Sequence, residues 1–456
     1  MASEATVDIA EVIETRRLGA FGIRMIAISW LVTFFDGFDM NVISFTAKYL
    51  KAGFDLDSKM LGNVFSLGIL GTLAGGFLFG LIGDRYGRRP AILLATGSFS
   101  VLTLALASAQ SYPQLLALRF LNGVALGGAM PLIWALNVEY VPRRMRATVV
   151  TLIMLGYGFG VAAAGPIARI LLPRFDWPGV FVFGGCASAV ATGLLFLTLP
   201  ESLRFLTNRG DRGATISRIL RRMKVDRAAT PETRFVLSDE GPAVNQRFRA
   251  GMLFEGRLRW LTPLLWGAYI ASSMSTFFLS SWGPLVLEEM GFSADHAAWL
   301  SSVNSLCSAA GGLLLMRFTD RHGPLSIAVL PTAAVPLLLI AGLTPMSLTV
   351  FMGLSVFVSM SLGGSHYGIT SIVSLFYPSA IRANGAGWAS SMAKIGSVLG
   401  PLIGGYVLAS SLPVKATYAL LAVCPTVYAL CILAIGLIER RGGAAAMQAP
   451  PEAAAQ

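Results

Sequence analysis

Asp36 and Asp39 stand three positions apart in Thr33-Phe34-Phe35-Asp36-Gly37-Phe38-Asp39, inside the first long apolar stretch of the chain. An aspartate at the centre of a membrane helix costs roughly 2.5–3.5 kcal/mol, so two in one span need a reason. Spacing of i and i+3 puts both on one helix face, about one turn apart. That face has to look into a bundle interior or a water-filled cavity, where two neighbouring acids can share and exchange a proton. The residue pattern therefore points to proton handling inside a membrane, against the plainer reading of an acid pair satisfied by neighbouring helices.

Other residues with chemistry lie in later apolar stretches. Arg119 needs a carboxylate if it faces inward, and Asp36 or Asp39 has the right type; the competing reading is a side chain that snorkels to the outer interface. Lys394 stands twelve residues after Arg382, about 18 Å deeper at helical rise, which places a cation near mid-membrane for an anionic carboxylate. A structural ion pair of Lys394 with an aspartate is the alternative. His366 can titrate or orient a carboxylate, with Tyr367 beside it, or it can be a core histidine bonded to a hydroxyl. Asn304, together with Ser272, Ser273, Ser275 and Thr276, can bond substrate hydroxyls or neighbouring helices. Phe38 is an aromatic substrate's wall, or else lipid-facing or core filler.

These residues need membrane helices to hold them. The chain has 456 residues, 55% hydrophobic and 13% charged, with mean hydropathy +0.67, far from a soluble domain. Twelve apolar segments of 18 or more residues can be placed, among them 147–172 and 178–199. Most of the 35 Lys and Arg fall in alternate connections, so both termini are expected inside. The net charge of +11 is then a topology signal and not a nucleic-acid signature. Residues 1–23 read as a cytoplasmic tail, 24–199 and 260–438 as two six-helix bundles, 200–259 as a cytoplasmic linker and 439–456 as a disordered tail. Within the linker, Arg218, Arg221, Arg222 and Lys224 suggest an amphipathic helix on the anionic inner leaflet. Cys186, Cys307, Cys424 and Cys431 lack metal or disulfide spacing and read as small core residues.

The two bundles repeat each other at a constant offset of 236 positions. Ala74-Gly75-Gly76 recurs as Ala310-Gly311-Gly312, and Leu126-Gly127-Gly128 as Leu362-Gly363-Gly364. Asp84-Arg85-x-Gly87 recurs as Asp320-Arg321-x-Gly323, and Pro142 with Arg146-Ala147 as Pro378 with Arg382-Ala383. Parallel halves imply a substrate site near the midplane between them.

Gly80-Leu81-Ile82-Gly83-Asp84-Arg85-Tyr86-Gly87-Arg88-Arg89 resembles the loop motif of the major facilitator superfamily, and the likeness covers about residues 20–440. Within it, Asp36-Gly37-Phe38-Asp39 looks like the first-helix signature of the aromatic acid:proton symporters, with Arg119, Glu139, Arg382 and position 394 also in register. The resemblance implies an all-α membrane protein of twelve transmembrane helices in two parallel six-helix repeats. It implies proton coupling by Asp36, Asp39 and Arg119; for the substrate, the residue readings above nominate Lys394 with His366, Tyr367, Asn304 and Phe38. Gating falls to Asp84, Arg85, Arg88, Glu139 and Arg146, with Asp320, Arg321 and Arg382 in the second half. Where the family usually carries arginine, this chain has Lys394, a point charge in place of a two-pronged grip.

The expected activity is import of a small aromatic carboxylate with protons by alternating access, in a monomer of the bacterial inner membrane. It is not enzymatic; the proton gradient drives it without cofactor or metal. An aliphatic carboxylate would suit the same charges. A proton antiporter exporting a hydrophobic compound stays open, although Gly396-x-x-x-Gly400-Pro401-x-x-Gly404-Gly405, the antiporter string, lies in the wrong half for it.

Overall fold

A backbone surrounded by hydrocarbon must satisfy its own N–H and C=O groups, which leaves helices or closed barrels as the spanning forms. The computed structural model is helical, and it describes residues 6–16, 18–209, 213–223, 225, 233–237, 249–322, 324–373, 376–378 and 381–448. β1 (Thr6–Asp8) and α1 (Ile9–Glu14) precede α2 (Ala20–Gly53), α3 (Ser58–Tyr86), α4 (Arg88–Leu106), α5 (Tyr112–Glu139) and α6 (Arg146–Thr198). α7 (Leu203–Asn208), α8 (Gly213–Arg222) and β2 (Arg234–Val236) follow. The second set is α9 (Leu258–Glu289), α10 (Ala294–His322), α11 (Val329–Leu343), α12 (Leu348–Ile372) and α13 (Arg382–Leu408), ending in α14 (Ala416–Leu421) and α15 (Val423–Gln448).

Among the described residues, 11 helical segments are long and apolar enough to cross a membrane, α14 and α15 together supplying the last of them. α6, with 53 residues, would be ~80 Å long as one rod, against a hydrocarbon core of ~30 Å. Asp176, at φ 55° and ψ −171° between Pro173 and Pro178, breaks it into two spans. The break falls in the gap expected between 172 and 178, and the total is twelve.

The chain divides into two compact units, Met1–Phe54 with Leu67–Asn245, and Asp55–Ser66 with Gln246–Gln456. Each is held by glycines that let one helix backbone lie on another. In the first unit, Cβ atoms added at Gly75, Gly127 and Gly160 would fall 1.9–2.0 Å from the carbonyl oxygens of Val124, Thr72 and Phe34. In the second, Gly311 meets Met360 O at 2.2 Å, Gly363 meets the Ser308 side chain at 2.3 Å, and Gly396 meets Ile270 O at 2.2 Å. All six pairings obey the offset of 236, so the sequence repeat is a repeat of contacts.

Residues 6–14, within the stretch expected as a cytoplasmic tail, form secondary structure. β1 pairs in parallel with β2, Thr6 opposite Arg234 and Asp8 opposite Val236. Ile9, Val12 and Ile13 join Leu203, Leu206, Ile216, Ile219 and Leu220 in the core of the first unit. This corrects the expectation for α8: its apolar face is covered by protein, not lipid, while Arg218, Arg221 and Arg222 are exposed. Lys224 lies outside the described residues. α15 runs on to Gln448, beyond the span end expected at 438, and 449–456 lie outside the described residues.

The glycine contacts set a direct test. Gly160→Val drives a side chain into Phe34 O and should cost about 2 kcal/mol or more. Gly158→Val, two residues away with nothing within 4 Å, should leave the detergent melting temperature near wild type. Thermal unfolding of both purified variants checks the difference.

Candidate functional site

Four polar side chains from α2, α4 and α5 meet inside the first unit. Arg119 Nη1 donates to Asp39 Oδ2 at 3.0 Å, with the residues 3% and 1% exposed. Thr103 Oγ1 donates to Asp39 Oδ1 at 3.4 Å, and Asn122 Nδ2 donates to Thr103 Oγ1 at 3.0 Å. Asn122 follows Arg119 by three residues, so one face of α5 presents both. Gly68 of α3 makes room for the guanidinium, since a Cβ there would sit 3.0 Å from Arg119 Nε. Among the described residues Arg119 Nε and Asn122 Oδ1 are buried without a hydrogen-bond partner.

Arg119 therefore faces the bundle interior and does not snorkel. Asp36, one turn before Asp39, is buried as well. Protonating Asp39 would remove the charge that holds Arg119 and leave a buried cation to find another partner, which is the chemistry of a switch. Phe38 is 1% exposed and wedged between α2 and α6, its ring 3.2 Å from where Gly184 would carry a Cβ and 5.9 Å from the ring of Phe183.

In the second unit, His366 of α12 lies with Nδ1 3.0 Å from Ser272 Oγ of α9. Lys394 of α13 is exposed and close enough to act on that ring electrostatically. Tyr367 is 42% exposed and packs over Gly312 of α10. Asn304 is not in this cluster. Ser308, one turn after it, donates to Ser359 O, so Asn304 lies roughly 15 Å from His366 along the helices. Its Oδ1 is buried without a partner among the described residues.

The loop motif joins a network at one end of the first unit. Arg88 is ion-paired with Glu139 and donates to Ala135 O at 3.2 Å, and Ser202 Oγ donates to Glu139 Oε2 at 2.6 Å. Glu201 Oε1 accepts from the N–H of Arg89 at 3.1 Å and of Ser202 at 2.8 Å. Gly87 has φ +108°, and a Cβ on it would lie 2.5 Å from Glu201 Oε2, so conformation and space both demand glycine there. Tyr140 donates to Glu201 O; burial, aided by the Glu201 charge, holds its hydroxyl well above the ordinary value and keeps the donor protonated. Arg146 lines a cavity of about 570 Å³ with Glu14, Arg143 and Arg204, and Glu14 Oε2 accepts from the N–H of Arg143 at 3.0 Å.

Asp84 and Arg85 are exposed. In the second unit Arg321 is exposed, and Arg382 is exposed with Nε 3.5 Å from Tyr377 O. The side chain of Asp320 lies outside the described residues. Sequence reasoning missed Thr103, Asn122, Glu201 and Ser202, and it raised a hydroxyl partner for His366 without naming Ser272. The available signal was the presence of Thr103 and Asn122 in otherwise apolar spans, and of Pro200-Glu201-Ser202 at the end of one.

Twelve apolar spans in two repeated units, with an ion pair sealed inside one of them, define a membrane transport protein. Residues 29–294 and 265–453 match the profile of the Major Facilitator Superfamily, and the chain belongs to that family. It is 30% identical to a gallate transporter of Pseudomonas putida over 95% of this chain and 96% of the other. It is 29% identical to the 4-hydroxybenzoate transporter PcaK of Acinetobacter baylyi over 90% of each chain. Among solved structures, the inward-open xylose transporter XylE from E. coli shares the fold at TM-score 0.69 and 17% identity, covering 90% of this chain and 95% of that one.

A buried pair broken on one side costs about 3–5 kcal/mol, whereas removing both charges costs far less. Arg119→Gln should therefore lower the detergent melting temperature more than the double variant Asp39→Asn with Arg119→Gln. Equal losses in the single and double variants would dissolve the pair as a unit.

Proposed function

We propose that the chain is a proton-coupled symporter that imports a small aromatic carboxylate across a bacterial inner membrane by alternating access, both termini cytoplasmic. The observation that carries this is the sealed Asp39–Arg119 pair, in a chain similar over nearly its whole length to transporters named for gallate and 4-hydroxybenzoate. Asp39, with Asp36 one turn away, takes the proton, and Arg119 is the cation whose hold on the carboxylate changes with it. Lys394 attracts the substrate carboxylate, and His366 and Tyr367 contact the ring or its substituents. Asn304 and Phe38 complete the set of substrate-binding residues.

The gate is formed by Asp84, Arg85, Arg88, Glu139 and Arg146, with Asp320, Arg321 and Arg382. In the first unit Arg88 and Glu139 already hold one another, which supports a network that locks and releases as a whole. The proton gradient supplies the driving force without a cofactor, and the monomer is the working unit.

Uptake of radiolabelled gallate into proteoliposomes tests the reading, with 4-hydroxybenzoate, benzoate and a short aliphatic acid as competitors. An inward proton gradient should produce accumulation that only the aromatic acids compete. Competition by the aliphatic acid alone would sink the aromatic assignment, and accumulation indifferent to the gradient would sink the coupling. Asp39→Asn should abolish accumulation by tenfold or more while equilibrium exchange of gallate persists; wild-type accumulation would remove α2 from the mechanism.

A further inference from the structure

We infer that His366 reads a hydroxyl group on the substrate ring, so that the carrier prefers hydroxylated aromatic acids to benzoate itself. This rests on the aromatic carboxylate reading and adds the basis of selection within that class.

The argument starts from the single proton of Ser272. Its Oγ lies 3.0 Å from His366 Nδ1 and 3.4 Å from the carbonyl oxygen of Tyr269, three residues back on α9. Serines inside helices commonly give their proton to such a carbonyl. With the proton placed there, Oγ accepts from Nδ1–H and both contacts are hydrogen bonds. With the proton given to Nδ1, only one of them is. The fuller arrangement puts the imidazole proton on Nδ1 and leaves Nε2 as a bare acceptor in the neutral ring.

Nε2 makes no hydrogen bond among the described residues, and it is not one of the sealed, unpartnered atoms. His366 as a whole residue is half-buried and so is not closed off. A bare ring nitrogen accepts from a phenolic O–H and repels a carboxylate. Lys394 does the opposite, and α13 is held against α9 where Gly396 meets Ile270 O, so the ammonium and the imidazole serve one neighbourhood. The two groups sort the two ends of a hydroxybenzoate, carboxylate toward Lys394 and hydroxyl toward His366. Ser272 touches His366 and fixes its tautomer, which makes it a positioning residue.

The repeat gives independent support for a special role at this position. Ser272 stands 236 residues after Asp36, so the site that carries an acid in the first unit carries, in the second, the hydroxyl that orients a histidine.

The test measures equilibrium binding of benzoate and of 4-hydroxybenzoate to the detergent-purified full chain. Wild type should favour 4-hydroxybenzoate by roughly tenfold, the ratio one hydrogen bond to an ionisable group carries. His366→Leu should bring that ratio within about twofold of one, with the detergent melting temperature reporting separately that the variant is folded. Ser272→Ala should lower the ratio about threefold, Ser272→Thr should preserve it, and Ser272→Ala should add nothing in the His366→Leu background. His366→Gln, whose amide oxygen can replace the acceptor, should keep most of the preference. A wild-type ratio near one, or a preference that survives His366→Leu, overturns the inference alone. If His366→Leu binds neither acid, an unchanged ratio in Ser272→Ala overturns it instead. Failure of wild type to bind either acid overturns the aromatic carboxylate reading, and this inference with it.

Discussion

Close approach of helix backbones at glycine is the constraint on which the rest depends. In lipid, burial of apolar side chains does not draw helices together, so association falls to dispersion contacts that only small residues allow at this range. Gly75, Gly127 and Gly160 supply them in the first unit, and Gly311, Gly363 and Gly396 in the second, against partners at the same offset. The side chains of the candidate site hang on these crossings. Gly68 opens the slot that Arg119 fills, and the Gly396 crossing brings α13 with Lys394 against α9 with Ser272. A methyl group at such a crossing would move charged atoms as well as helices.

A symmetric frame carries asymmetric chemistry. At the offset of 236, Asp36 and Asp39 correspond to Ser272 and Ser275, and Arg119 to Ser355. In the other direction Lys394 corresponds to Gly158 and His366 to Met130. The first unit encloses an acid and a base that neutralise each other, while Ser275 and Ser355 bond carbonyls of their own helices. On the reading proposed above, the division assigns proton exchange to one unit and carboxylate capture to the other. A two-part carrier needs such a division if proton and substrate are to bind at different groups and be linked by the movement of the frame.

The parts of this that were legible in the sequence are those written in apolar length, in charge placement and in repetition. The twelve spans, the break before 178 and the register of the halves follow from residue types alone. So did the need of Arg119 for a carboxylate, because an unmatched charge in hydrocarbon is too costly to leave unexplained. The choice of Asp39 was not legible, since it turns on the rotation of α5 against α2. The cover of α8 was not legible either: an amphipathic face states that something apolar lies on it, without stating whether that is lipid or protein. β1 and β2, of three residues each, are too short to show a period.

The loop motif shows how one string of residues serves two purposes. Gly87, Arg88 and Arg89 are engaged within their own unit, by φ, by the Glu139 ion pair and by Glu201. Asp84 and Arg85 remain exposed on the same turn. Arg88 and Glu139 would be poorly held by their mutual attraction alone, since a partly solvated pair contributes little. Ser202 and the Ala135 carbonyl take up the remaining bonding capacity, and the strap formed by β1 and α1 packs over the same end through Glu14 and Arg143. The engaged residues make a rigid platform from the loop, the α5 terminus and the start of the linker. A platform of that kind gives the exposed pair a fixed direction, so on the gating reading proposed above Asp84 can act without itself being buried.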